Sequence, residues 1–222
     1  MKKEISIRMS GLGGQGVVTA AHILGQAAVL EKKNATVNPF FGAEKRLAPA
    51  ESYVRISESE IYDVGEVVYP DIIMIYHPDV ILKGKSYTMP FYSGIRKNGI
   101  IIANYTTEFS LDETDKEELK KSNVKLYFVP ATKIALEVGN TELSTNIAML
   151  GYLAGITDVV SLDSLKQSAY ERFAGKTKFV ASATTAALDE SVKKQYAKIE
   201  QLISSNNAIL EKAYKEAKSI IS

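Results

Sequence analysis

A strand that runs into a glycine-rich turn and an apolar helix, short apolar runs alternating with helical patterns downstream, and two neighbouring strands with no helix between them predict an α/β fold. The plan is a three-layer, Rossmann-like domain with a mixed, mostly parallel sheet. A charged, periodic tail adds a C-terminal helical extension. The boundary falls between residues 1–175, the domain, and 176–222, an extension that packs on the domain or on a partner subunit.

The first strand covers about Glu4 to Met9, where Ile5, Ile7 and Met9 alternate with Ser6 and Arg8. The first helix runs from about Gly14 to Lys32. Its apolar positions cover more than one face (Val17, Val18, Ala20, Ala21, Ile23, Leu24, Ala27, Ala28 and Leu30), which predicts burial against a sheet and a second neighbour. A short strand, Ala35 to Phe40, follows. The loop from Phe41 to Pro49 leads into the alternating strand Glu51 to Ser57. No helix fits between these two strands, so they pair antiparallel and the sheet is mixed. Asp71–Tyr76, Ile100–Ala103 and Val124–Val129 are continuous apolar runs and read as central strands. Asp112 to Ser122 is charged and reads as an exposed helix. Thr132 to Glu137 starts a short helix that stops near Gly139-Asn140, Ser144 to Ala154 is an apolar helix, and Leu162 to Phe173 is amphipathic, with Leu165, Ala169, Tyr170 and Phe173 on one face. From Ala186 to Ile221 apolar residues recur every three or four positions. This is one long helix, or two broken near Ser204-Ser205-Asn206-Asn207, and its apolar stripe needs cover.

Composition excludes several function classes. The net charge of +1 over 222 residues gives no field for nucleic acid. No apolar run is long enough to span a bilayer, and the start Met1-Lys2-Lys3-Glu4 lacks the apolar core of a signal peptide, so the expected location is the cytoplasm, off the membrane. With no cysteine, the chain forms no disulfide and offers no thiolate to zinc or an iron–sulfur cluster. The two histidines, His22 and His77, read as packing or local hydrogen bonding. Of the two, His77 is better placed for a site, since it follows a central strand and open α/β sheets bind ligands at strand carboxyl ends. No acid–base set stands out, so no catalytic residue and no metal ligand is assigned.

Gly11, Gly13 and Gly16 have the spacing of a dinucleotide fingerprint, with Gly14 in addition, and the strand-before, helix-after context is right. Such a turn admits a phosphate to backbone N–H groups at a helix N-terminus. A dinucleotide site also needs an acid about twenty residues on for the ribose, and Asn34-Ala35-Thr36-Val37-Asn38 has none. No Lys-Ser/Thr follows the glycines, which excludes a nucleoside-triphosphate P-loop. Two readings stay open here: an anion cradle, or a tight turn that only packs helix on strand. The Phe40–Pro49 loop is the second unusual segment. Its Lys45-Arg46 pair suits a phosphate or carboxylate, and two phenylalanines beside charges suit a contact surface better than plain solvent.

Together these segments resemble the gamma subunit of the 2-oxoacid:ferredoxin (acceptor) oxidoreductases, the pyruvate/ketoisovalerate oxidoreductase family. The family's Gly-x-Gly-Gly-Gln-Gly-Val loop matches Gly11 to Val17. Its Phe-Gly-x-Glu-x-Arg-x-x-Pro loop matches Phe41, Gly42, Glu44, Arg46 and Pro49, and an Asn-x-x-x-Leu-Gly helix matches Asn146, Leu150 and Gly151. Glu171-Arg172-Phe173 and Asn207 to Tyr214 resemble the closing elements. Two departures stand out. The stretch from Lys176 to about Asn206 is longer than the usual connection, and Leu47 stands where the family loop tends to carry glycine after its arginine.

The resemblance implies a non-catalytic or accessory chain in an oxidative decarboxylation of a 2-oxoacid, usually to acyl-CoA and CO2. Thiamine diphosphate with Mg and the iron–sulfur clusters would sit mainly in other chains: alpha, beta and ferredoxin-like delta subunits, with ferredoxin or another electron acceptor beyond them. No cofactor is assigned to this chain alone. Its expected contacts, with partner chains and coenzyme A, are Gly11, Gly13, Gly14, Gln15, Gly16, Lys45 and Arg46, while Glu44 ties down its own loop. A rival from the glycine turn alone is a free-standing nicotinamide- or flavin-binding oxidoreductase; a third reading is a purely structural adaptor.

Overall fold

Period-two patterning fixes which strand faces go inward. The computed structural model describes residues 4–42, 47–106, 111–174 and 186–221, with side chains from residue 197 in the last segment. Its strands are β1 (Glu4–Leu12), β2 (Asn34–Phe41), β3 (Pro49–Ser57), β4 (Ile72–Ile75), β5 (Ile100–Asn104) and β6 (Lys125–Val129). Its helices are α1 (Val17–Leu30), α2 (Asp79–Leu82), α3 (Glu113–Lys121), α4 (Ala131–Gly139), α5 (Thr145–Thr157), α6 (Leu162–Ala174) and α7 (Ala186–Ile221).

The sheet order is β2-β3-β1-β4-β5-β6. β3 is antiparallel to both β1 and β2, and β1, β4, β5 and β6 run parallel. The sheet is therefore mixed, as expected, because residues 42–48 are too few for a crossover. Ile7, Met9, Met74 and Tyr76 point into one core with α1, α4, α5, α6 and α7. Ile73, Ile75, Ile101 and Ala103 point into the other, with Val80, Phe91, Leu111 and Leu119. Helices on both faces make the three layers. From β1 the chain turns one way to β2 and β3, while β4, β5 and β6 build the other way. The end of β1 is thus a topological switch point, where ligands bind in open α/β sheets.

α5 is buried from Thr145 to Ile156, so it needs cover on every side. Part of that cover comes from α7 through Ile209, Leu210, Ala213 and Ala217, all fully buried. The two helices approach closely along Gly151 and Gly155. A Cβ on Gly151 would lie 2.7 Å from the Leu210 carbonyl oxygen and 2.8 Å from Ala213 Cβ; one on Gly155 would run into Ala217 Cβ and lie 2.9 Å from the Tyr214 oxygen.

Several expected boundaries move. β1 continues through Gly11 and Leu12, because β3 pairs with it as far as Leu12 opposite Pro49. α1 begins only at Val17, because Gly14 and Gly16 have left-handed φ of 97° and 74°, outside the helical range. α7 has no break at Ser204–Asn207: Asn206 turns inward and its Oδ1 accepts from Ser144 Oγ at 3.3 Å. Tyr170 and Leu30 are exposed rather than packed. The long connection after Lys176 falls partly on residues 175–185, outside the described residues.

Glu31, just past α1, accepts hydrogen bonds from Lys33 Nζ at 2.7 Å and from the Ser161 N–H at 2.6 Å, clasping α1 to the start of α6. Partial burial alone would raise its pKa, but these donors outweigh it and hold the carboxyl down at about 2, from 4.5. A depressed folded pKa stabilises above the unfolded value, and that stability is lost as pH falls from about 4.5 towards 2. Glu31→Gln should therefore be less stable than the parent at pH 6, with the gap closing by pH 2–3. Urea unfolding across that range measures it, and a gap independent of pH would refute the linkage.

Candidate functional site

The glycine turn sits at the switch point, and each glycine described there has its own role. Gly11 is packed: a Cβ on it would lie 2.7 Å from Val17 Cγ2 and 2.9 Å from Tyr76 Cβ. Gly16 caps α1 with φ 74° and ψ 22°, and a Cβ there would strike the amide of Asn146. Asn146 Nδ2 in turn donates to the Gly16 carbonyl at 3.3 Å. Gly14 is open, with φ 97° and nothing within 4 Å of where its Cβ would be. Gln15 folds back, and its Oε1 accepts from the Leu12 N–H at 3.0 Å. Gln15 thus closes the turn through its side chain.

No side chain caps the N-terminus of α1. Its first N–H groups have no intrahelical partner and carry the positive end of the helix dipole. The turn therefore offers an anion-favouring edge beside the open Gly14.

The second marker loop is joined to this turn. The Gly13 N–H donates to the Ala48 carbonyl at 2.8 Å, and the Leu47 N–H donates to the Gly13 carbonyl at 3.3 Å. Leu47 has φ 71°, the left-handed region that favours glycine, although a leucine occupies it. Its side chain is exposed, as are those of Phe40 and Phe41. Lys45 and Arg46, with Glu44, lie outside the described residues; of their neighbours, Leu47 is bonded to the turn and Gly42 lines the cleft beside it.

Two clefts flank Gly14. One, of about 470 Å³, lies between the turn and the second loop and is lined by Val17, Val18, Phe41 and Pro49 among others; it is mainly apolar. The other, of about 420 Å³, lies along the strand carboxyl ends and is lined by Gln15, His77, Asn104, Thr132, Glu142 and Thr145 among others. His77 Nδ1 accepts from the Asp79 N–H at 3.1 Å, and burial lowers its pKa against the pull of Asp79. It is therefore a neutral imidazole with local hydrogen bonding, at the carboxyl edge as expected. His22, read as packing or local bonding, is instead exposed on α1, and no acid partner joins it among the described residues. Asn104 is fully used, donating to the Tyr76 carbonyl at 3.0 Å and to Thr132 Oγ1 at 2.8 Å and accepting from the Thr132 N–H at 3.1 Å.

The topology disfavours a dinucleotide site. The ribose acid of such a site stands at the end of the strand next to β1. Here that neighbour is the antiparallel β3, and the Asn34–Asn38 segment belongs to β2, one strand further out.

Under the second loop lies a polar cluster that strand alternation hid. Glu51 of β3 is fully buried and Arg8 of β1 nearly so. Arg8 donates to the carbonyls of Ser93 and Phe91, both at 2.9 Å, and burial lowers its pKa against the charge of Glu51. Both were legible only as the polar half of an alternating strand. Among the described residues no cluster of His, Asp and Glu has the makings of a metal site, and no helix there is long and apolar enough to cross a membrane.

Comparison with known proteins places these features in a group. Residues 6–216 match the family model for pyruvate ferredoxin/flavodoxin oxidoreductase. The pyruvate/ketoisovalerate oxidoreductases common subunit gamma of Thermococcus litoralis is 36% identical over 189 residues, covering 85% of this chain and 97% of that one. The pyruvate synthase subunit PorC of Methanothermobacter thermautotrophicus is 36% identical over 172 residues, covering 78% and 87%. Among solved structures, the Thermotoga maritima pyruvate oxidoreductase subunit PORC superposes with a TM-score of 0.67 at 24% identity, covering 96% of this chain and 97% of that one. The 2-oxoglutarate:ferredoxin oxidoreductase of Magnetococcus marinus, solved with 2-oxoglutarate, coenzyme A and succinyl-CoA bound, gives 0.71 at 20%, covering 99% of this chain and 32% of that one. At those identities the likeness is one of fold.

Proposed function

Because this chain belongs to the pyruvate ferredoxin/flavodoxin oxidoreductase family, among its gamma subunits, we propose that it is the non-catalytic chain of a multi-subunit 2-oxoacid oxidoreductase and presents the glycine turn and the 42–48 loop to coenzyme A and to a catalytic partner. The partners would be alpha, beta and ferredoxin-like delta chains. They would hold the thiamine diphosphate and iron–sulfur clusters that supply decarboxylation and electron transfer. The absence of cysteine fits that division, since this chain has no thiolate for a cluster.

One observation carries the reading: the two family loops are hydrogen-bonded to one another at the switch point, beside an uncapped helix N-terminus. Coenzyme A carries phosphates, which suit free N–H groups and the dipole, and on this reading Lys45 and Arg46, which stand between Gly42 and Leu47 in the sequence, supply the positive charges. The chain's own work is to bind and orient coenzyme A, the acyl acceptor, and to hold the assembly. No proton transfer is assigned to it.

The test is kinetic. Arg46→Ala in the assembled complex should raise the KM for coenzyme A about 10- to 100-fold, the range of a lost hydrogen bond to a charged group, with little change in the KM for the 2-oxoacid. Unchanged kinetics and assembly would remove the loop from the site. The isolated chain should not turn over a 2-oxoacid, and unaided activity would overturn the subunit reading.

A further inference from the structure

Glu51 is a carboxylate with no solvent exposure, near the start of β3, opposite Phe40 on β2 and Ser10 on β1. A buried carboxylate is tolerated only when donors surround it. Here Oε1 accepts from Ser86 Oγ at 2.5 Å and from the N–H groups of Tyr87 and Thr88, both at 3.1 Å. Oε2 accepts from Thr88 Oγ1 at 3.1 Å and Tyr53 OH at 2.9 Å. Four of these five donors belong to the backbone or hydroxyls of Ser86–Thr88, a stretch without helix or strand, so this one acid is its main attachment to the sheet.

What that stretch then holds is the second marker loop. Tyr87 OH accepts from the Gly42 N–H at 2.8 Å. The Tyr87 ring meets Phe40 edge to face, with centroids 4.9 Å apart and planes at 80°. Gly42 is the first residue of the 42–48 connection. At the other end Leu47 and Ala48 are tied to Gly13. The loop is therefore anchored twice: once to the glycine turn, and once through Tyr87 to a buried acid on the neighbouring strand.

We propose that Glu51 and Tyr87 form a brace that holds the Gly42 end of the 42–48 loop and thereby sets the affinity of the complex for coenzyme A. The proposal rests on the coenzyme A reading of that loop. Both are positioning residues, with no assigned contact to coenzyme A. The brace fixes where the loop starts, at Gly42.

The experiment uses the assembled complex with Tyr87→Phe, which keeps the ring against Phe40 and removes only the acceptor. The expected result is a rise of about three- to tenfold in the KM for coenzyme A, the range of one neutral hydrogen bond, with kcat and the KM for the 2-oxoacid unchanged. Amide exchange over residues 39–49 should quicken in the same variant. Glu51→Gln, which keeps shape but weakens the acceptor, should move both readouts in the same direction. An unchanged KM for coenzyme A in Tyr87→Phe overturns the proposal, as does an equal fall in every kinetic parameter, which would mean general damage. Arg46→Ala then separates the causes. If it raises the KM while Tyr87→Phe does not, the brace alone is wrong; if both are silent, the coenzyme A reading of the loop has failed as well.

Discussion

Gly16→Ala should destabilise the chain by about 2–4 kcal/mol, from the left-handed backbone that an L side chain resists and the overpacking of a filled contact. Both causes meet at one atom. Gly16 holds φ 74° to end the turn and start α1, and its missing Cβ leaves the space that the Asn146 amide occupies. Displacing Asn146 also breaks its bond to the Gly16 carbonyl, the link between the turn and the start of α5. Gly14→Ala is the natural comparison. Gly14 also has positive φ, at 97°, but nothing lies within 4 Å of its would-be Cβ. It should lose about 1–2 kcal/mol, from backbone strain alone. Urea unfolding of both variants decides the matter. Equal losses would show that contact with α5 plays no part in the choice of glycine at Gly16.

Gly155→Leu should cost about 3 kcal/mol or more by forcing α7 away from α5, a fall of about 6–12 °C in Tm for a chain of this size. The approach is set by backbone: the Tyr214 carbonyl would lie 2.9 Å from the new Cβ, with Ala217 in its way as well. A helix cannot yield there by turning one side chain. It has to move, and α5 behind it is buried from Thr145 to Ile156 and depends on that cover. The ion pairs that also join α7 to the domain, Lys166–Glu211 at 2.6 Å and Lys218–Asp158 at 2.8 Å, lie at the surface and cannot compensate. A gentler version uses Gly155→Ala with Ala217→Gly. The double variant should be more stable than the sum of the single losses, because the second change opens room for the first methyl group. Strict additivity would show that the two helices are not in contact at that point.

Much of the architecture was legible in the sequence because it rests on local rules. The alternation of Ile5, Ile7 and Met9 with Ser6 and Arg8 names a strand, and the short link from Phe41 to Pro49 forbids a crossover and so makes the sheet mixed. The glycine turn announced itself by spacing. Its detailed boundaries did not, because Gly11 and Leu12 are held in β1 by pairing with β3, which only the partner strand reveals. The two marker loops could be named from their motifs, yet their joining through Gly13, Leu47 and Ala48 is a contact between distant parts of the chain.

The sequence by itself determined the fold class, the order of the strands and of every helix but the short α2, the absence of thiol chemistry and the two loops that carry the family resemblance. The first three follow from periodicity, composition and spacing, which act over a few residues, and the loops from their resemblance to family motifs. Only the tertiary structure decided that β3 would stand between β1 and β2 and displace a ribose site, that Asn146 would fill the space beside Gly16, and that a strand glutamate would be buried to hold Tyr87 against Gly42. In each case the reason is the same: a polar or absent side chain has meaning only through the group it faces, and that group arrives from elsewhere in the chain when the layers close.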